Sequence, residues 1–369
     1  KIVLFFRANF YEVVFSQSKL KLMAHFNQLS IKEISRQTDK AVHILFDVPS
    51  ELNSEFQFKA GQYLTLETNI NGEEVRRSYS ISSEEGKDLG IVVKAIPDGK
   101  FSNYVNSQLK VGDPIQVHPA EGKFLLPQQL DHKTFAAFAA GSGITPVMSM
   151  IQTVLSKSDS ARFVLVYGNK SPEQTIFIQE LLSLQKEFPK RFFIEFIYSE
   201  TQEGEAQFGR IEKSTVNYVI KNKYDGFEFS EFYLCGPEAM IETIEETLKA
   251  TGVEGDQIKH ELFFSKSEGD VEAVTDGKSL ITVIVDDEEF ELSMDRTDLI
   301  LDAVLAQNID APYSCQGGIC SSCVAKIKEG TVKMRKNQIL TDDEIEEGLV
   351  LTCQSQPTSA KVVVDYDDI

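Results

Sequence analysis

The chain has 369 residues, of which 42% are apolar and 25% are charged, a balance typical of two or three globular domains. Its formal charge is −20, and no apolar run approaches the roughly 18 residues that span a bilayer, so the sequence predicts neither a nucleic-acid-binding protein nor a membrane protein. Residues 267–369 hold 22 acidic and 8 basic residues and carry −14 of that charge. This acidic end is a candidate docking surface, although acidic residues also serve solubility alone.

The first residues require separate treatment. Residues 1–22 combine a basic start with an apolar patch, as a signal peptide does, but they lack a clean apolar core and a small-residue cleavage site. The regular pattern begins only after Met23. We interpret residues 1–22 as an N-terminal extension of uncertain role rather than a targeting signal, with an extra strand as the alternative.

Two large units follow and indicate a multidomain fold. Residues 23–130 consist of short β-rich segments separated by Gly and Asn-Gly turns, which predict an antiparallel β-barrel or sandwich. Residues 131–265 alternate apolar strands with helical stretches and predict an α/β unit with a parallel sheet. We predict its helices at 146–157, 174–188 and 237–250.

A polar stretch at 266–278 is typical of a linker and leads to a third unit at 279–369. This unit begins with SLITVIVDDEEFELSM, which predicts a hairpin that turns at the acidic cluster. A helix near 297–308 should follow, with Leu301, Val304 and Leu305 on one face.

Four of the five cysteines lie in this third unit, in the pattern C-x4-C-x2-C at Cys315, Cys320 and Cys323, with Cys353 further along the chain. This is the spacing of plant-type [2Fe–2S] sites, in which four thiolates hold two irons. A structural zinc site usually uses paired C-x2-C knuckles, and four unligated core thiols fit poorly with the Gly-rich loop between the cysteines. An odd number of cysteines in a chain of this size favours reduced thiols and a cytoplasmic location over a disulfide framework.

Two Gly-containing loops of the α/β unit are candidates for nucleotide binding. GSGITP (141–146) follows an apolar strand and opens a helix, so Gly141 and Gly143 would let a phosphate approach, with Thr145 as the N-cap and Pro146 at the first helical position. CGPEAM (235–240) also follows a strand, at the sheet edge where parallel sheets place their ligands. The alternatives are a tight strand–helix connection for the first loop and, for Cys235, a small buried apolar residue.

The β unit contributes a third candidate site. In RRSYSIS (76–82), alternation places Arg77 and Tyr79 on one face, so that a charge and a ring could contact one large ligand. GKFSNYV (99–105) adds Gly99 and Ser102 at a predicted helix start. Taken alone, these residues are better explained as an exposed arginine and a packed tyrosine.

Together, these motifs resemble those of the ferredoxin–NADP reductase superfamily, with a plant-type ferredoxin fused behind it, over residues 23–369. Within that group the chain is similar to the reductase subunits of phenylacetyl-CoA epoxidases, through GQYLTL, YGNKSPEQTIF, LTCQSQPTS and VVVDYD. The resemblance implies an FAD-binding β-barrel, an NADP-binding α/β domain and a β-grasp ferredoxin domain of the α+β class.

The resemblance also implies roles for individual residues. Arg77 would form an ion pair with the flavin pyrophosphate, Tyr79 would pack beside the flavin, and Ser80 would form a hydrogen bond near the flavin N5. The catalytic set is Ser80, Cys235 beside the nicotinamide and Glu261 near the flavin. The remaining cofactor-binding residues are Lys94, Gly99, Phe101 and Ser102 for the FAD diphosphate, and Gly141, Gly143, Thr145, Pro146, Gly236 and Pro237 for the nicotinamide nucleotide. The chain has Ser199–Glu200 where many relatives carry an arginine next, which puts the adenosine contacts there in doubt.

The choice of nucleotide depends on the loop after strand 162–168. Lys170 and Ser171 follow this strand where an acidic residue would repel a 2′-phosphate, so we predict NADPH, with NADH possible. The alternative is that Lys170 is simply a solvated loop lysine.

The implied reaction carries electrons from NADPH to FAD, then to the [2Fe–2S] cluster and then to a partner oxygenase. The predicted partner is a multi-subunit di-iron oxygenase, most closely the phenylacetyl-CoA epoxidase of aerobic phenylacetate catabolism. The alternatives are a reductase for another oxygenase, hydroxylase or soluble electron carrier and, more remotely, a non-enzymatic binding module stapled by zinc.

Overall fold

The computed structural model describes residues 26–202, 204, 206–263 and 277–369. The predicted extension at 1–22 and all but the last two residues of the predicted linker lie outside these ranges. Among the described residues, no helix is long and apolar enough to cross a membrane.

The first unit is an antiparallel sheet whose strands are ordered β4-β3-β6-β1-β2-β5 in the described chain. A bridge between Ile81, directly after β4, and Ile91, in β5, joins the two edges of the sheet and closes it into the predicted barrel. Alternate residues point inward, and Leu29, Ile44 and Leu64 are fully buried there. The elements are β1 (Asn27–Thr38), β2 (Ala41–Asp47), β3 (Tyr63–Ile70), β4 (Glu73–Ser80), β5 (Gly90–Lys94), α1 (Lys100–Ser107) and β6 (Pro114–Val117).

The second unit is the predicted parallel sheet, with the order β10-β9-β8-β7-β11-β12 across the described strands. Its central strands are apolar runs covered by helices, as expected for a sheet buried on both faces. Its elements are β7 (Thr134–Ala140), α2 (Ile144–Lys157), β8 (Arg162–Asn169), α3 (Ile178–Glu187), β9 (Phe192–Tyr198), β10 (Gln207–Phe208), α4 (Lys213–Tyr218), β11 (Glu231–Cys235), α5 (Glu238–Ala250) and β12 (Ile258–Glu261).

The strand order of this sheet determines where a ligand can bind. The chain runs outward from β7 to β10 on one side and then returns to place β11 and β12 on the other side of β7. The order therefore reverses between β7 and β11, and the crevice outside the carboxyl ends of two such strands is where open α/β sheets bind ligands.

The third unit is a mixed sheet, ordered β14-β13-β19-β15-β17 among the described residues, with a helix against it, which confirms the predicted α+β class. The hairpin turns at Asp286–Asp287, both with positive φ, as a two-residue hairpin requires. The predicted helix is shorter than expected, and Leu301 and Val304 are buried on its inner face. The elements are β13 (Lys278–Val285), β14 (Glu288–Asp295), α6 (Ile300–Ala306), β15 (Val324–Glu329), β16 (Val332–Met334), α7 (Asp342–Glu346), β17 (Leu349–Leu351), β18 (Ser355–Pro357) and β19 (Lys361–Asp365).

Candidate cofactor-binding sites

Strand β4 carries the arginine and tyrosine that were predicted to contact a flavin. Arg77 is exposed, and its Nη1 donates to the carbonyl oxygen of Arg76 at 2.6 Å. The Tyr79 ring lies 5.6 Å from that of Phe101, centroid to centroid, and burial raises the pKa of Tyr79 above its usual value. An exposed guanidinium two residues from a packed ring suits a ligand that is both anionic and aromatic.

The loop before α1 lies beside this strand and completes a cradle. Helix α1 begins at Lys100, directly after Gly99, as predicted. A Cβ atom at Gly99 would lie 2.4 Å from the Ser102 hydroxyl oxygen and would displace that side chain, whose hydroxyl accepts the backbone N–H of Ile96 at 3.3 Å. These residues, together with Arg77 and Tyr79, fit the diphosphate and ring system of FAD.

The loops after β7 and β11 meet at one edge of the parallel sheet, as predicted. A Cβ atom at Gly143 would lie 2.1 Å from the carbonyl oxygen of Cys235, so the two backbones are in direct contact. Gly141 has a φ of 55°, and its carbonyl oxygen accepts the Tyr167 hydroxyl at 2.9 Å. This cradle of close backbones fits a nicotinamide nucleotide.

The start of helix α2 corrects one detail. The helix begins at Ile144, and Gly143, not Thr145, occupies the N-cap position. Thr145 lies inside the first turn, where its hydroxyl donates to the carbonyl oxygen of Ser142 at 3.0 Å. Pro146 is the third helical residue, not the first as predicted, and its missing N–H still costs nothing there, because the first N–H groups of a helix have no intrahelical partner.

Lys94, which was assigned to the FAD diphosphate, ends strand β5 beside the nucleotide loop of the other unit. Its ammonium nitrogen lies 3.6 Å from the point that a Cβ atom at Gly141 would occupy. Burial, followed by the positive charge of Lys170, lowers the pKa of Lys94. Lys94 therefore faces Gly141, which suits the dinucleotide of the α/β unit.

The three residues predicted to be catalytic converge from three strands. The register of β11 and β12 pairs Cys235 with Glu261, and the Ser80 hydroxyl at the end of β4 donates to Glu261 Oε2 at 2.9 Å. Burial raises the pKa of Glu261 to about 7, and burial followed by the nearby Glu261 carboxylate raises the pKa of the Cys235 thiol. The junction between barrel and sheet thus holds a carboxyl group that titrates near neutral pH.

Lys170 and Ser171 are less available than the sequence suggested. The Lys170 ammonium lies 2.7 Å from Glu200 Oε1, and the Ser171 hydroxyl donates to Glu173 at 2.6 Å. Glu200 and Glu173 therefore compete with a 2′-phosphate for these two side chains, and the preference for NADPH stays a prediction. The sequence analysis noted Glu200 only because the arginine common in relatives does not follow it, and did not predict its pairing with Lys170.

The four clustered cysteines lie within reach of one another. The Cys315 thiol is within hydrogen-bonding distance of Cys320 and Cys353, and Cys323 is within that distance of Cys353. The N–H of Gly317 donates to Cys315 Sγ at 3.3 Å, and these hydrogen bonds lower the pKa of Cys315. No three His, Cys, Asp or Glu side chains of the described ranges form a single-ion site, so the cluster assignment rests on the donor set, its spacing and the family match below.

The residues that join the units were not predicted from the sequence. Arg76 of β4 contacts Asp310 and Tyr313 in the third unit, and Glu238 of α5 contacts Lys336. The Arg-Arg doublet at 76–77 was visible, but nothing in it distinguishes a ligand-binding arginine from one that pairs with another domain.

Family models match all three units in chain order. Residues 28–125 match the oxidoreductase FAD-binding domain, residues 138–246 match the oxidoreductase NAD-binding domain and residues 283–358 match the 2Fe-2S iron-sulfur cluster binding domain. The match to the last of these favours a [2Fe–2S] cluster over zinc.

Relatives match almost end to end. One subunit of the 1,2-phenylacetyl-CoA epoxidase of Escherichia coli (strain K12) is 36% identical over 352 residues, which cover 94% of this chain and 99% of that protein. The ferredoxin reductase component of the 3-ketosteroid-9-alpha-monooxygenase of Rhodococcus rhodochrous is 32% identical, covering 92% and 96%. Phthalate dioxygenase reductase shares the fold, with a TM-score of 0.60 at 24% identity over 92% of this chain and 98% of that one. The chain is therefore an oxidoreductase and belongs to the family of oxygenase reductase components that carry FAD-binding, NAD-binding and [2Fe–2S] domains.

Proposed function

We propose that the chain is the reductase subunit of an oxygenase of the phenylacetyl-CoA epoxidase type. The observation that carries this proposal is the 36% identity to a subunit of such an epoxidase, which extends over 99% of the length of that relative. When bound, FAD would supply the conversion between two-electron hydride chemistry and one-electron transfer, and a [2Fe–2S] cluster held by the four cysteines would supply one-electron transfer to the acceptor.

The residues of this chain supply binding and orientation. Arg77 and the Gly99–Ser102 turn hold the FAD diphosphate, and Tyr79 packs beside the ring system. The loops at Gly141–Gly143 and Cys235–Pro237 hold the nicotinamide nucleotide, with Lys94 at its phosphates. Ser80 and Glu261 form a hydrogen-bonded pair next to Cys235, where the two cofactor sites meet. Cys315, Cys320, Cys323 and Cys353 are the cluster ligands.

The proposed acceptor is a multi-subunit di-iron oxygenase in the cytoplasm. The five cysteines are all free thiols in the structure, which suits a reducing compartment. A second candidate acceptor, a 3-ketosteroid-9-alpha-monooxygenase, follows from the 32% identity to the ferredoxin reductase component of such an enzyme.

Reconstitution with each oxygenase tests this proposal. The purified holoprotein is mixed with the oxygenase subunits of a phenylacetyl-CoA epoxidase that lacks its own reductase, and epoxide formation is followed by mass spectrometry with NADPH and with NADH. We expect product from this oxygenase and little from a 3-ketosteroid-9-alpha-monooxygenase. Turnover of only the 3-ketosteroid-9-alpha-monooxygenase would make that enzyme the acceptor. If the chain supported turnover of neither oxygenase, both proposed acceptors would be refuted.

A further inference from the structure

Arg76 is a buried cation at the boundary between the barrel unit and the cysteine-bearing unit. Only 8% of its side chain is exposed, and it lies 2.5 Å from Glu67 within the barrel and 3.1 Å from Asp310 in the third unit. Its guanidinium also lies 5.0 Å from the centroid of the Tyr313 ring. A buried arginine is costly unless its charge is paired, so these contacts fix its position.

The same boundary places the cysteine loop on the strands that carry the flavin residues. The Ser78 hydroxyl contacts that of Ser314, the residue directly before Cys315. Because side chains alternate along β4, Arg76 and Ser78 face the third unit while Arg77 and Tyr79 face the proposed flavin.

Two further ion pairs border this boundary. Lys123 of the barrel unit lies 2.6 Å from Glu344, and Lys336 lies 3.3 Å from Glu238 of the α/β unit. Each pair joins opposite charges from different units, so the third unit rests on both of the others. The Lys123–Glu344 pair is largely exposed and contributes little, whereas the Arg76 side chain is more buried than either lysine, with its partner Asp310 at the surface.

We propose that Arg76, through Asp310 and Tyr313, is the positioning residue that docks the cysteine loop on strand β4, in the arrangement that lets the cluster receive electrons from the flavin. The role of this docked state in electron transfer rests on the proposed function, whereas the contact between the two units does not. Docking in solution is therefore measured first, without any partner oxygenase.

The docked state is measured by zero-length cross-linking of the holoprotein. A water-soluble carbodiimide activates the Glu344 carboxylate, the Lys123 amine attacks it, and an amide forms while the reagent leaves as its urea. Mass spectrometry of the Lys123–Glu344 peptide pair then reports docking independently of any electron transfer. Absence of this cross-link in the unaltered protein would overturn the docked arrangement.

Variants on both sides of the contact test the role of Arg76. Asp310→Asn changes a side chain that is 80% exposed and is therefore compatible with folding. We expect the yield of the Lys123–Glu344 cross-link to fall about two- to five-fold, since Arg76 still forms its ion pair with Glu67. Arg76→Gln should lower it about tenfold or more, because Glu67 also loses its partner, and Arg76→Lys should restore part of the yield. The matched control is Asp295→Asn, an exposed acid of the same unit that forms no ion pair with the other two units in the described chain.

A kinetic measurement connects docking to function. In anaerobic stopped-flow experiments, flavin reduction by the nicotinamide nucleotide should be unchanged in Asp310→Asn, while the following one-electron reduction of the cluster slows in step with the cross-link yield. Equal cross-linking and equal cluster reduction in Asp310→Asn, Arg76→Gln and the control would overturn the role of Arg76. Failure to reduce any oxygenase, with these effects intact, would refute the proposed partner and leave the docking contact standing.

Discussion

Glu261 shows how position in the fold changes the chemistry of one side chain. It ends strand β12 beside Cys235 and accepts a hydrogen bond from Ser80 at 2.9 Å. Burial raises the pKa of Glu261 from 4.5 to about 7, although the hydrogen bond from Ser80 opposes this rise. The carboxyl group is therefore more protonated in the folded chain than in the unfolded chain between these two values.

This shift predicts how stability depends on pH. Since the folded state binds more protons between pH 4.5 and about 7, the contribution of Glu261 to the free energy of unfolding falls as pH rises through that window, by about 3 kcal/mol in total. Glu261→Gln removes this dependence. Urea unfolding followed by circular dichroism should show a smaller loss of stability from pH 5 to pH 8 in the variant, and equal losses in both proteins would contradict the assignment.

A second residue-scale prediction concerns the ion pair between Lys170 and Glu200. Glu200→Gln leaves the Lys170 ammonium free for a 2′-phosphate, so affinity for NADP⁺ relative to NAD⁺ should rise about fivefold, the upper range for an exposed pair. Isothermal titration of the holoprotein with each nucleotide measures the ratio. Glu187→Gln, on the exposed end of α3, is the control, and an unchanged ratio in Glu200→Gln would show that this pair does not influence nucleotide choice.

At the scale of elements, the contact between the loops after β7 and β11 leaves no room for a side chain. Gly143→Ala would place a Cβ atom 2.1 Å from the Cys235 carbonyl oxygen, so the backbones must separate. We expect a loss of about 1–3 kcal/mol of stability, together with weaker nucleotide binding, measured by thermal unfolding and by titration. Gly226→Ala is the control, because no atom lies within 4 Å of its Cβ position. Equal effects of the two substitutions would show that the loops tolerate separation.

The elements themselves were largely predictable, because their signals are local. The apolar run 134–140 became strand β7, and the Asp286–Asp287 turn formed where the acidic cluster interrupts two alternating segments. The contact between Lys94 and Gly141 was not predictable, since it depends on how the barrel packs against the sheet. Lys170 pairs with Glu200 only because β8 and β9 are neighbours in register, which periodicity does not reveal.

At the scale of the whole molecule, the acidic third unit divides its charge between internal contacts and free surface. Asp310 and Glu344 pair with Arg76 and Lys123, so part of the predicted docking surface serves the chain itself. The hairpin turn at Asp286–Asp287 stays at the surface, where Asp367 accepts both of its backbone N–H groups. This turn is one part of the acidic surface that remains exposed for a partner.

The charge of this surface predicts a salt-dependent partner reaction. If a basic patch of the oxygenase docks there, the rate of electron delivery should fall as salt rises, because the Debye length is about 8 Å at physiological ionic strength. Reduction of a small dye by the flavin should change less. Stopped-flow measurements across a salt series separate reduction of the partner from reduction of the cluster within the chain. A rate of partner reduction that is constant or rises with salt would show that the acidic residues serve solubility and not docking.

The central claim, that one chain passes electrons from a nicotinamide nucleotide through flavin to a [2Fe–2S] cluster, is tested most directly by an anaerobic reductive titration followed by absorbance and electron paramagnetic resonance. The holoprotein should accept one electron more than its flavin alone accepts and develop the signal of a reduced [2Fe–2S] centre. Cys320→Ser should lose that extra electron and that signal while its flavin is still reduced and still passes electrons to a dye. A holoprotein that takes up no more electrons than Cys320→Ser, or that contains zinc in place of iron, would contradict this claim.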